Sequence, residues 1–146
     1  MTTDDDAGPT LTTGDGDTEL DKRLGEELDA FNAAATGAAD QGAFSVKVSD
    51  EAGLVGGLSA WTWGGLCGIE LLWVRDDSRR GGWGSRILRA AEAEARRRGC
   101  DRVAVSSFTF QAPGFCERHG YAETGRTLGI PGGHADVHLF KSLTGA

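Results

Sequence analysis

The segment GIELLWVRDDSRRGGWGSRIL, residues 68–88, constrains the fold more than any other part of the chain. An apolar run of strand composition passes through charges into Gly81, Gly82 and Gly84, and then into a helical pattern. Glycine at such a junction costs conformational entropy, so three of them indicate a tight turn or a close approach of the main chain to a ligand. The helix beyond is the clearest in the chain. SRILRAAEAEARRRG (85–99) is alanine-rich, sets Ile87, Leu88, Ala91 and Ala95 on one stripe, and stops at Gly99. Glu92 with Arg96, and Glu94 with Arg98, have the i,i+4 spacing of surface ion pairs. RVAVSSF (102–108) reads as the next strand, so strand, glycine turn, helix and strand make a βαβ-like unit.

The flanking segments fill out the fold. RLGEELDAFNAAAT (23–36) carries Leu24, Leu28 and Phe31 at helical spacing. FSVKVSD (44–50) and GLVGGLSAWTW (53–63) have strand composition around the turn from Ser49 to Gly53, a hairpin pattern. Gly64 and Gly65 lead into GIELLWV, whose apolar residues fall on both faces, as in a strand covered on both sides. PGFCERHG reads as a turn of helix, and YAETGR and HADVHLF as closing strands. The expected architecture is an α/β domain with a mixed, mostly antiparallel sheet and its chemistry near the glycine turn.

Length and charge limit the alternatives. A chain of 146 residues suits one domain with a real core. Residues 1–21 hold seven of the 22 acids and no base, which leaves 15 acids against 15 bases in residues 22–146. The net charge of -7 thus belongs to an acidic tail, expected to be disordered over 1–21, ahead of a neutral domain over 22–146. No run of basic residues is interleaved with aromatics, and Arg96, Arg97 and Arg98 suit a helix C-terminus, so no nucleic-acid partner is expected. No leader pattern and no spanning apolar stretch is present, so the expectation is a soluble cytoplasmic protein with no membrane partner. Cys67, Cys100 and Cys116 are odd in number and widely spaced, which argues for reduced thiols and against a metal site.

A helix N-terminus preceded by glycines offers unpaired N–H groups and the positive end of a dipole to a phosphate, with Arg79 and Arg80 adding charge. A tight turn with solvated arginines is the structural alternative. A Walker loop would need Lys followed by Ser or Thr after the last glycine, where this chain has Ser85-Arg86. A dinucleotide fingerprint would need a third glycine at position 87, which is Ile87. Neither motif fits.

Arg79-Arg80-Gly81-Gly82-Trp83-Gly84, an RxxGxG sequence after a strand ending LLWV, resembles the acetyl-CoA-binding motif of the GNAT superfamily of N-acetyltransferases. ELLWVRDDSRRGGWGSRILRAAEAEARRRGC resembles that family's fourth strand, pyrophosphate loop and long helix. FTFQAPGFCERHGY resembles its fifth strand and following short helix, and GGHADVHLFKSL its closing strand. The resemblance runs from about Leu24 to Leu143 and is most specific over 68–121. It implies a GNAT-like acyl-CoA N-acyltransferase fold, a mixed and mostly antiparallel central sheet splayed between the fourth and fifth strands and flanked by helices. It further implies acetyl-CoA as co-substrate, no metal, direct transfer to an amine of a small molecule or peptide in a ternary complex, and an assembly open to a homodimer. The main chain at Trp73 and Val74 would bond the cofactor's amides. Arg79, Arg80, Gly81, Gly82, Trp83, Gly84 and Ser85 would hold the pyrophosphate, with Phe110 and Phe115 lining the pantetheine or adenine side.

Glu70 is the only charge inside GIELLWV, with apolar Leu72 and Val74 on the same face of a regular strand. By resemblance it is the carboxylate that takes the amine proton, directly or through water; the plain alternative is an exposed residue on a solvated edge. Gln111 either holds the acceptor or a water, or caps the following helix. His134 lies in GIPGGH, a loop placed to close over substrate, and is a candidate contact there; His138 is a lesser one. Trp61 and Trp63 share a strand face and read first as core, second as an aromatic wall for the acceptor. One departure stands out. Where the family phrase reads FYEKLGY, with a tyrosine able to return a proton to CoA, this chain has FCERHGY and Cys116. That leaves a catalytically silent acyl-CoA-binding or interaction domain as the alternative function.

Overall fold

The computed structural model describes residues 8–144. The chain divides into two compact units, one ending at Gly37 and one beginning at Ala38. Among its described residues the first holds a single helix, α1 (Thr18–Thr36), which starts earlier than the apolar spacing suggests. Asp17 is its N-cap, accepting from the Leu20 N–H at 3.0 Å, and Glu19 and Asp21 lie in the first turn, where the helix dipole favours acids. Residues 18–21, expected to belong to an acidic tail, are therefore the start of a helix. The first seven residues of that tail lie outside the described residues. Gly37, at φ 74, closes α1 by donating to the Ala33 carbonyl. No described helix is long and apolar enough to cross a membrane.

Among its described residues the second unit is one six-stranded sheet with two α-helices and a 3-10 turn at Asp76–Ser78. In chain order it comprises β1 (Gly42–Asp50), β2 (Gly53–Trp63), β3 (Leu66–Val74), α2 (Trp83–Arg97), β4 (Arg102–Phe108), α3 (Pro113–Arg118), β5 (Ala122–Ile130) and β6 (His134–Ser142). The spatial order is β1-β2-β3-β4-β6-β5, with β3 and β4 parallel and every other neighbour antiparallel. The strand, glycine turn, helix and strand read from the sequence are β3, the 76–82 turn, α2 and β4. The strands that the resemblance numbers fourth and fifth are β3 and β4 of this chain, and these are the pair that splays.

α2 lays the predicted stripe on the sheet. Ile87, Leu88, Ala91 and Ala95 pack against Leu58, Ala60, Cys67, Ile69, Val103, Val137 and Leu139 in one core. Burying such side chains contributes roughly 1.5–3 kcal/mol for each large one. The same face carries Glu92, only 5% exposed. It does not pair with Arg96; its carboxylate accepts from the Tyr121 hydroxyl at 2.8 Å and from the Lys141 ammonium at 3.0 and 3.1 Å. Glu94 does pair with Arg98, at 2.7 Å, and with Arg97 as well. Gly99, at φ 89, ends the helix as expected.

Two local features shape the site. The β3–β4 ladder has four steps, from Leu66–Arg102 to Ile69–Val105, after which β3 runs on to Val74 and β4 to Phe108 without pairing to each other. The β2–β3 ladder skips one residue: Ala60 faces Ile69 and Ser59 faces Leu71. Glu70 is therefore the extra residue of a β-bulge, and the alternation of β3 changes there. Leu72 and Val74 pack against the core, whereas Leu71 and Trp73 are exposed. The expectation that GIELLWV is covered on both faces thus fails beyond Ile69.

Candidate active site

The parting of β3 and β4 leaves a wedge in the sheet, with the first turn of α2 beside it. Beyond Ile69 the main chain of β3 has no β4 partner, so amide groups there remain available to an extended ligand. The turn that carries the chain from Val74 to α2 is pinned at several points. The Arg75 guanidinium bonds Asp50 at 2.8 Å and Asp77 at 2.7 Å, fastening the end of β3 to the β1–β2 turn. Those bonds hold both carboxyls below the usual aspartate range. Arg79 turns back, its Nε donating to the Val74 carbonyl at 2.8 Å, with Asp76 3.5 Å from its guanidinium. Arg79 is thus a strut of the turn, and the Val74 carbonyl is already bonded.

Gly82 caps α2 at φ 80, a left-handed backbone that a Cβ would strain, and its carbonyl accepts from Arg86 N–H at 3.1 Å. Gly81 N–H is occupied by Ser78 O at 3.2 Å. Among the described residues the N–H groups of Arg80, Gly82, Trp83, Gly84 and Ser85 have no main-chain partner, so five of the seven predicted loop residues offer donors at a helix start. Gly84 serves packing as well: a Cβ there would meet Cζ of Phe115 at 3.3 Å. The Arg86 guanidinium lies 4.0 Å from the Trp83 ring centroid and covers that indole. Free donors at a dipole's positive end and glycines at its entry fit a pyrophosphate.

The two phenylalanines assigned to the cofactor have separate surroundings. Phe115, on α3, lies against Gly84 and Val74 at the loop. Phe110 follows β4 and makes an edge contact with His134 at 4.9 Å, with Phe108 at 5.5 Å. His134 is not on a long lid. It is the first residue of β6, paired with Ile130 across the tight turn 131–133, and its Nδ1 lies 2.9 Å from Thr109 Oγ1. Gln111 does not cap α3, whose N-cap Ala112 makes no side-chain bond. Its amide oxygen accepts from Phe108 N–H at 2.7 Å and ties off the end of β4.

Glu70 is exposed and lines an open groove of about 460 Å³ with Ala43, Ser45, Ser59 and Trp61. The bulge turns it away from the core side taken by Leu72 and Val74, toward Trp61. Trp61 is neither fully core nor free: its indole lies on the main chain at Gly68 and also borders a second groove, of about 400 Å³, that includes Ser106, Thr124, His138 and Phe140. Trp63 instead donates its indole N–H to the Ala38 carbonyl at 2.9 Å. His138 Nε2 lies 3.1 Å from Thr127 Oγ1. On the same side of β6, Asp136 Oδ1 is shielded and has no hydrogen-bond partner among the described residues. Cys116 lies in the core, where burial first, and Glu117 second, push its thiol pKa up. Sequence reasoning missed Asp136, His119 and the bulge; the isolated glycine in a strand at position 68 was the available sign of the close approach of Trp61.

Comparison with known proteins agrees with this geometry. The profile described as "Acetyltransferase (GNAT) family" matches residues 10–121. A blasticidin-S acetyltransferase of Streptomyces morookaense is 40% identical over 92 residues, 62% of this chain and 65% of that protein, so the match spans just under two thirds of that relative's length. The crystal structure of an acetyltransferase from Bacillus cereus superposes with a TM-score of 0.79 at 28% identity, covering 91% of this chain and 98% of that one. A candidate acetyltransferase from Agrobacterium tumefaciens superposes with a TM-score of 0.84 at 26% identity, covering 92% and 99%.

Proposed function

This chain belongs to the acetyltransferase (GNAT) family, and from that premise we propose that it transfers an acetyl group from acetyl-CoA to the amine of a small molecule, directly, in a ternary complex. The observation that carries the reading is the wedge beyond Ile69 and Val105, set beside a helix start with free N–H groups at Arg80 and from Gly82 to Ser85. Strand amides on one side and phosphate donors on the other suit an extended acyl-CoA.

Acetyl-CoA supplies an activated acyl group and a thiolate leaving group. The chain's part is to bind, orient and move one proton. Arg80 and the first-turn N–H groups of α2 hold the pyrophosphate, while β3 main-chain N–H groups beyond Ile69 orient the thioester and polarise its carbonyl. Glu70, presented by the bulge in a groove walled by Trp61, takes the proton from the incoming amine, directly or through water. The indole of Trp61, in the wall of that groove, favours a cationic acceptor. Cys116, in the core, has no part in the proton steps.

Free-thiol release from acetyl-CoA over a panel of amines tests this. The panel includes blasticidin S, for which the Streptomyces relative is named. Saturable, amine-dependent release that falls about 10²-fold to 10⁴-fold in Glu70→Gln, with CoA affinity unchanged, is the expected result. Saturable CoA binding with no release on any amine would favour the silent acyl-CoA-binding domain instead.

A further inference from the structure

Ser85 and His119 are far apart in sequence, yet Ser85 Oγ lies 2.9 Å from His119 Nε2. His119 sits just past the last turn of α3, its ring 4.8 Å from that of Phe115. Phe115 in turn lies against Gly84, where a Cβ would come within 3.3 Å of the ring. One face of α3 is thus clamped to the first turn of α2 by an aromatic contact at Gly84 and a hydrogen bond at Ser85. Ser85 is the third residue of α2, and its main-chain N–H has no main-chain partner among the described residues. Its hydroxyl carries a single proton, which points either to the imidazole or away from it, depending on which partner donates.

We propose that His119 is a positioning residue for the phosphate cradle: its Nε2–H donates to Ser85 Oγ, which turns the serine's own proton outward to donate to a phosphate oxygen of CoA. The proposal rests on the acetyl-CoA reading above. In the reverse arrangement Ser85 donates to a bare Nε2 and presents only lone pairs to the phosphate, acceptor against acceptor. A hydrogen bond to a charged oxygen is about twice as strong as a neutral one, so the bound phosphate selects the Nε2–H form of the ring. The neutral Nε2–H tautomer and the imidazolium both satisfy this.

The test uses the full chain and measures CoA affinity by calorimetry for the wild type, Ser85→Ala, His119→Leu, His119→Gln and the Ser85→Ala/His119→Leu double variant, each checked for folding by thermal unfolding. The ¹⁵N resonances of His119 are recorded with and without CoA. Ser85→Ala and His119→Leu are each expected to weaken CoA about tenfold, and the double variant no more than either, because both act through one bond. His119→Gln keeps an N–H donor and should stay within about threefold. The KM for acetyl-CoA should follow these affinities while kcat holds, and Nε2 should be protonated in the CoA complex. Wild-type affinity in His119→Leu, independent losses in the double variant, or a bare Nε2 in the complex would overturn the proposal while leaving the acetyl-CoA reading intact. A wild type that does not bind CoA would overturn both.

Discussion

A Cβ on Gly68 would lie 2.1 Å from the indole of Trp61, its cross-strand partner, so the ring rests on the bare main chain of β3. The contact sets the wall between the two grooves. Gly68→Ala must lift the indole, which should cost about 1–3 kcal/mol of stability, as overpacking does. In a Trp61→Ala background the same change should cost little. Urea midpoints of the four species measure the coupling, and equal costs in both backgrounds would count against the contact.

Lys141→Met is expected to be among the most damaging single changes outside the site. It would strand the Glu92 carboxylate, 5% exposed, with only the Tyr121 hydroxyl as partner. Breaking a buried ion pair from one side typically costs about 3–5 kcal/mol. Replacing Glu92 and Lys141 together by apolar residues of similar volume should recover most of that loss in chemical denaturation.

Stability should decline in alkali. Burial first, with the neighbouring Cys100 adding, pushes the Cys67 thiol up to about 11; burial and the bond to Glu92 push Tyr121 higher still. In the unfolded chain these groups ionise from about pH 8.5 and about pH 10. The folded state then holds protons that the unfolded state has released, so the stabilisation is complete below pH 8.5 and is lost as pH rises toward 11. Urea midpoints at pH 7.5, 9 and 10.5 should fall in sequence, and less steeply in Cys67→Ala.

Where function and fold were legible in the sequence, the signals were local. The β3 run, the glycines and the α2 stripe each carry their pattern within a few residues, so the βαβ unit and its glycine turn could be read directly. What was hidden depends on partners far along the chain. Glu92 and Arg96 have the spacing of a surface pair, but Lys141 and Tyr121 arrive from elsewhere and draw Glu92 into the core. The bulge at Glu70 is a matter of register with β2, and no composition rule distinguishes it from regular alternation. The contact of Ser85 with His119 likewise exists only once α3 docks on α2. The helix start at Asp17 carries acids in its cap and first turn, and because acids suit a solvated tail equally well, composition alone does not separate the two.

Cys116→Ala should lower turnover less than about tenfold, under roughly 1.4 kcal/mol of barrier, because the thiol packs in the core. Cys116→Tyr tests the same point from the other side. A ring at this position would overfill a packed interior and should cost about 1–3 kcal/mol of stability, with no gain in rate. A 100-fold loss in the alanine variant, with CoA binding and folding intact, would instead make the thiol the acid that protonates the leaving group.

Acyl-CoA in the wedge, with its pyrophosphate on the start of α2, would shield main-chain amides of both elements, and amide hydrogen exchange with and without CoA measures that shielding. Slowed exchange is expected at Arg80 and Gly82 to Ser85, whose N–H groups have no main-chain partner among the described residues, and along Leu71 to Val74 of β3. The same protection should fade in Gly84→Val, where the added branches press on Phe115, more than in Arg80→Ala, whose exposed charge is partly screened. Saturable CoA binding with exchange unchanged across 80–85, or binding undiminished in Gly84→Val, would contradict it.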